Sequence, residues 1–155
     1  EFAQQREWNH DASLDWHLLA EPAHAGVQNL VRDLNHFYRA TAALYEIDFA
    51  AEGFDWIDCS DSVQGVIAFV RRGLNPNAIL IAICNMTPVI RRDYRIGVPR
   101  AGRYLERINS DASVYGGSGV GNLGEVHSEN IATHGLEYSL NLVLPPLATL
   151  ILTLE

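Results

Sequence analysis

The sequence predicts a mainly β fold, an antiparallel β-sandwich preceded by a polar loop and one amphipathic helix. Three observations carry that prediction. Apolar residues recur at helical spacing only between Pro22 and Tyr38. After Ala43 the period shortens from 3.6 to 2. From Phe54 onward, short strand-like runs follow one another with turn residues between them, the pattern of an antiparallel sandwich.

Residues Glu1–Ala20 have no hydrophobic period and read as a loop, with a short helical turn near Ser13–Leu18. Glu21-Pro22 is a helix start, because proline suits the first turn and an acid suits the positive helix end. Val27, Leu30, Val31, Leu34, Phe37 and Tyr38 form the apolar stripe of a helix of about four or five turns. Such a helix is marginal alone in water and needs a neighbour over its stripe. Strands are expected over 54–59, 65–71, 78–84, 93–98, 104–108, 130–132, 139–144 and 148–154. The run at 78–84 is apolar on both faces and should be central. The turn at Leu74–Asn77 follows from its proline and asparagines, and Pro88 breaks the next run. The switch of period places the domain boundary near Ala43–Asp48, giving residues 1–45 and 46–155.

Composition narrows the function. The chain has 155 residues, 48% hydrophobic and 19% charged, enough for a packed core. Nineteen acids against eleven bases, all arginine, give a net charge of −8. That balance argues against nucleic acid or an anionic membrane as the main partner and is compatible with a neutral ligand such as a sugar. Cys59 and Cys84 lie in strand-like runs and are expected to be buried free thiols, which fits a cytoplasmic setting. The longest apolar run, Leu142–Leu154, is interrupted by Pro145, Pro146 and Thr149 and is too short to span a bilayer. No secretory leader pattern opens the chain.

The six histidines show no metal-ligand spacing, so no metal or cofactor is expected. Gly119-Val-Gly121-Asn-Leu-Gly124 has the G-x-G-x-x-G form, but a dinucleotide site needs a strand before it and a helix after it. Here the glycines read as a surface loop, Asn109–Gly124. Serine, histidine and aspartate occur without a G-x-S-x-G elbow. The richest stretch is Arg6–Leu19, which holds two of the three tryptophans. Asp11 and Asp15, four apart, either project together as paired carboxylates do in glycosidases, or Asp15 caps or braces the loop through backbone N–H groups. Trp8 and Trp16 either wedge the loop onto its scaffold or contact ligand. Trp56 alternates with Phe54 and Asp58, which puts all three on one strand face. It is either a sandwich-core tryptophan or a platform on which a pyranose ring stacks.

The motifs taken in order carry a resemblance. Glu1-Phe-Ala-Gln4, Arg6-Glu-Trp-Asn-His-Asp11 and Ser13-Leu-Asp-Trp16 closely resemble bacterial 1,4-α-glucan (glycogen) branching enzymes, of the α-amylase superfamily. The likeness continues through Asn85-Met-Thr-Pro-Val89, Tyr94-Arg-Ile-Gly-Val98, Asn109-Ser-Asp111, Tyr115-Gly-Gly-Ser-Gly119 and Leu144-Pro-Pro-Leu-Ala-Thr149. It departs at Met86, where an aromatic is expected, and at Gln5, where glycine is common.

The resemblance implies that the loop and helix of residues 1–45 close a (β/α)₈ barrel, and that 46–155 is the α-amylase type of C-terminal all-β sandwich. It implies an enzyme that cleaves an α-1,4 linkage, holds the glucan covalently and passes it to a 6-hydroxyl to make an α-1,6 branch. The family's catalytic carboxylates would lie upstream of Glu1, so no catalytic residue is assigned here. The expected substrate contacts are Trp8, Asp11, Trp16 and Trp56. The expected partners are α-glucan (glycogen or maltooligosaccharide) and the barrel of the same enzyme. The rival reading is a free-standing carbohydrate-binding sandwich.

Overall fold

The apolar stripe forms α1 (Pro22–Ala40) in the computed structural model, which describes residues 1–155. The expected turn before it is a 3-10 helix over Trp16–Ala20. Eight strands follow: β1 (Phe54–Asp61), β2 (Val66–Arg72), β3 (Ile79–Asn85), β4 (Arg91–Val98), β5 (Arg103–Asn109), β6 (Glu125–His127), β7 (Tyr138–Leu144) and β8 (Ala148–Leu154). All ladders are antiparallel, in a six-stranded sheet ordered β1-β2-β3-β8-β5-β6 and a two-stranded sheet β4-β7. The period-2 pattern places Val66, Ala68 and Val70 of β2, Ile81 and Ile83 of β3, and Leu150 and Leu152 of β8 inward. They meet Tyr94, Ile96 and Val98 of β4 and Leu140, Leu142 and Leu144 of β7. Each such leucine or isoleucine contributes about 1.5–3 kcal/mol by leaving water.

The run at β3 is apolar throughout because both of its faces are covered. Ile81 and Ile83 face the sandwich interior, while Leu80 and Ala82 face outward beneath Ala43, Leu44 and Phe37 from the end of α1 and the turn after it. Arg71 ties the connecting segment down, donating to Leu44 O and Gly53 O and pairing with Asp48. The rest of α1 is thinly covered: Gly26 is its one buried residue, and Val27 and Tyr38 stand exposed.

Three expectations change. No strand forms over 130–132; only the flanking residues make isolated bridges, Glu129 with Ser139 and Thr133 with Leu136, and the extra strand is β6. The edge of the six-stranded sheet needs only a three-residue partner for β5, which the short polar run 125–127 supplies. Second, Trp56 and Asp58 lie on opposite faces. A bulge makes Trp56 pair with Phe69 and Asp58 pair with the next residue, Ala68, so the alternation slips by one. Third, Cys59 is exposed on this bulged edge strand, and Cys84 is half-buried beside Thr149 Oγ1; both thiols are free.

Candidate functional site

The polar opening loop folds back on the first half of α1. Phe2 is buried, its carbonyl bonded to His24 Nδ1 at 2.8 Å and its ring 5.4 Å from that of Trp16. Gln4 spans the loop, donating to Arg6 O at 2.9 Å and accepting from Asp15 N. A cavity of about 460 Å³ results, lined by Phe2, Gln4, Arg6, Trp8, Trp16 and Gln28 among others. Both tryptophans remain more than half exposed, Trp8 at 70% and Trp16 at 55%, so their faces are free to stack on a ligand. Around them Arg6 offers guanidinium donors, and Gln4 and Gln28 offer amides. Indole faces with planar polar side chains suit the CH face and hydroxyl rim of a sugar ring.

The loop aspartates do not act as a pair. Asp15 is mostly buried and faces Arg6 Nε at 3.9 Å, while Asp11 stands exposed beside His10. Asp15 accepts no backbone N–H and braces the loop through Arg6 instead, and Asp11 lies outside the cavity lining. Thus Trp8 and Trp16 come together at one cavity, whereas Asp11 and Trp56 do not join them. Trp56 is not in the sandwich interior. It lies on the outer face, 51% exposed, edge-on to Phe54 at 5.1 Å and to Phe69 at 5.9 Å. Its ring is therefore held in place with one side open to solvent.

Three features escaped sequence reasoning because long-range contacts create them. Phe2 and Gln28 line the cavity, and His24 holds the Phe2 carbonyl, all from positions that no local pattern singles out. Asp58, turned inward by the bulge, accepts from Ser60 N and Ser60 Oγ and lies 3.5 Å from His134 Nε2. The Ser60 N–H holds its carboxyl below the usual value, with the Ser60 hydroxyl and His134 adding to the effect against burial. Gly97 N donates to His134 Nδ1, so the ring proton sits on Nε2, toward Asp58. Asn85, in an N-x-T sequence, is buried: it donates to Val89 O and Pro145 O and accepts from Thr87.

Gly119–Gly124 leads into β6 with no helix behind it, so the geometry for holding a pyrophosphate is missing. Gly116, Gly119 and Gly124 take positive φ, and a Cβ on Gly117 would meet Asp111 O at 2.2 Å. No helix is long and apolar enough to cross a membrane.

Comparisons with known proteins agree with this architecture. Over 153 residues, 99% of this chain, it is 56% identical to the 1,4-alpha-glucan branching enzyme GlgB of Cereibacter sphaeroides, of which it covers 21%. The enzyme of the same name from Roseobacter denitrificans is 54% identical over 155 residues, with 21% of its length covered. That of Aquifex aeolicus is 50% identical over 155 residues, with 25% covered. The chain therefore spans about a fifth to a quarter of the length of these curated relatives. Residues 56–155, from the middle of β1 to the last residue, match the family model described as the alpha amylase, C-terminal all-beta domain. On that match, and on the two-sheet antiparallel architecture it covers, the chain belongs to the alpha amylase C-terminal all-beta domain family.

Proposed function

We propose that this chain is the C-terminal part of a bacterial 1,4-α-glucan branching enzyme. In this reading residues 1–45 are the last loop and helix of the catalytic barrel, and residues 46–155 are the sandwich that braces it. One observation carries the proposal: the likeness to enzymes of that name runs over the loop and helix as well as the sandwich, at 50–56% identity. A free-standing sugar-binding sandwich would have no reason to keep residues 1–45.

The whole enzyme moves α-1,4-glucan chains to 6-hydroxyls in the cytoplasm. The cavity between Trp8 and Trp16 contacts α-glucan at the rim of its active site, with Asp11 as a peripheral acceptor for sugar hydroxyls at the loop tip. Trp56 is a second, separate stacking surface, a reading favoured by its open ring on the outer face. Retaining transfer needs two carboxylates about 5–5.5 Å apart across the scissile bond. In this reading both carboxylates stand on other strands of the barrel, so the 155-residue chain is expected to be inactive by itself.

Titrating maltoheptaose while following tryptophan fluorescence tests the contacts. Trp16→Ala is expected to weaken binding by about tenfold, the scale of one lost stacking contact, and Trp56→Ala to remove a second, independent phase. Unchanged titrations for both variants would overturn the glucan-contact reading. Branching of amylose by this chain, seen as a shift in iodine colour, would overturn the assignment of the chemistry to the rest of the enzyme.

A further inference from the structure

The glycine-rich loop Asn109–Gly124 is not slack. One end is bonded to β8, Ser110 N to Thr149 O at 3.1 Å and Thr149 N to Ser110 Oγ at 2.9 Å. The other end is bonded to β7, Asn122 Oδ1 accepting from Val143 N and Asn122 Nδ2 donating to Val143 O. Between them Glu106 accepts from Asn109 and from Asn122, and Asp111 accepts from Ser118. The loop is thus anchored to both sheets, and its outermost turn, Ser113–Tyr115, reaches α1.

Two contacts are made there. Tyr115 Oη donates to Asp33 Oδ2 at 2.9 Å. The backbone of Tyr115 lies so close to Gly26 that a Cβ on residue 26 would stand 2.2 Å from Tyr115 O. Gly26 lies between His24, which holds the Phe2 carbonyl, and Gln28, which lines the cavity wall. The far end of α1 reaches the sandwich separately, through Phe37.

We infer that the glycine-rich loop is a rigid arm and that Tyr115 is a positioning residue, fixing α1 to the sandwich and thereby setting the aromatic cavity of Phe2, Trp8 and Trp16. Its effect on sugar binding rests on the proposal that this cavity takes α-glucan; its effect on the loop does not.

The test compares three variants of the 155-residue chain. Tyr115→Phe removes one hydroxyl, Asp33→Asn keeps an acceptor for it, and Gly26→Ala drives the helix off its seat. Hydrogen exchange without sugar is the first readout. In Tyr115→Phe, exchange over residues 1–36 is expected to rise about three- to tenfold, as for loss of one anchoring hydrogen bond, with β3 and β8 unchanged. Gly26→Ala should do the same, and Asp33→Asn should stay near the original. Maltoheptaose affinity should follow the same order. Unchanged exchange over 1–36 in Tyr115→Phe, or an equal rise in β3 and β8, would overturn the positioning role. Altered exchange in a chain that never binds maltoheptaose would sustain the arm and sink the glucan reading instead.

Discussion

Replacing Asn85 with alanine should cost this small domain a large share of its stability. Asn85 is 1% exposed and makes four hydrogen bonds through one side chain. Its amide protons go to Val89 O and Pro145 O, each at 2.8 Å, and its oxygen takes Thr87 N at 3.1 Å and Thr87 Oγ1 at 2.8 Å. One residue therefore holds the β3–β4 loop against the β7–β8 turn. Each bond is worth about 1 kcal/mol net, and a carbonyl left buried without a donor costs about 1–3 kcal/mol. The Thr87 hydroxyl can turn to water and recover part of its share, so Asn85→Ala should lose about 2–4 kcal/mol. For a chain of this length that lowers Tm by about 4–16 °C. Asn85→Asp has the same shape but lacks both donors and sets a negative charge against two carbonyl oxygens. At neutral pH it should be at least as destabilised as the alanine variant. Urea unfolding with an unchanged m value is the assay. An alanine variant within about 0.5 kcal/mol of the original, or an aspartate variant clearly more stable than alanine, would refute the clamp.

Two predictions concern pH. The Asp58 carboxyl titrates below its ordinary 3.8, so its contribution is present above 3.8 and lost as pH falls through the folded value. The stability gap between the original chain and Asp58→Asn should therefore shrink as urea midpoints are followed from neutral pH to about pH 2; a constant gap would contradict the assignment. Tyr104 is buried and its phenol is pushed up to about 12, chiefly by desolvation, while Oη donates to Arg100 O. A raised value stabilises the fold below pH 10 and ceases to do so as pH rises from 10 through about 12. Tyr104→Phe should flatten that alkaline loss while lowering stability at neutral pH by about 1 kcal/mol, measured by the same unfolding curves. An unaltered alkaline limb would assign the loss to another group.

Local chemistry determined the elements of this protein. Hydrophobic period alone separates α1 from the strands, because a helix and a strand bury different spacings of the same residues. Seven of the eight strands lie where alternation places them, and β3 announced its central position by being apolar on both faces. Two tryptophans in an aperiodic loop marked the cavity. What the chain could not reveal by itself depends on residues distant in sequence. The bulge that sends Trp56 outward and Asp58 inward depends on register with Phe69 and Ala68, which no alternation within β1 encodes. The clamp made by Asn85 is invisible until Pro145, sixty residues away, is brought beside it. Tyr115 and Asp33 are 82 positions apart, and only the folded sandwich puts the hydroxyl of one on the carboxylate of the other. Periodicity is a property of neighbours along the chain, and so is readable there. Which polar group meets which partner is decided where sheets, loop and helix converge, and there the tertiary structure alone has the information.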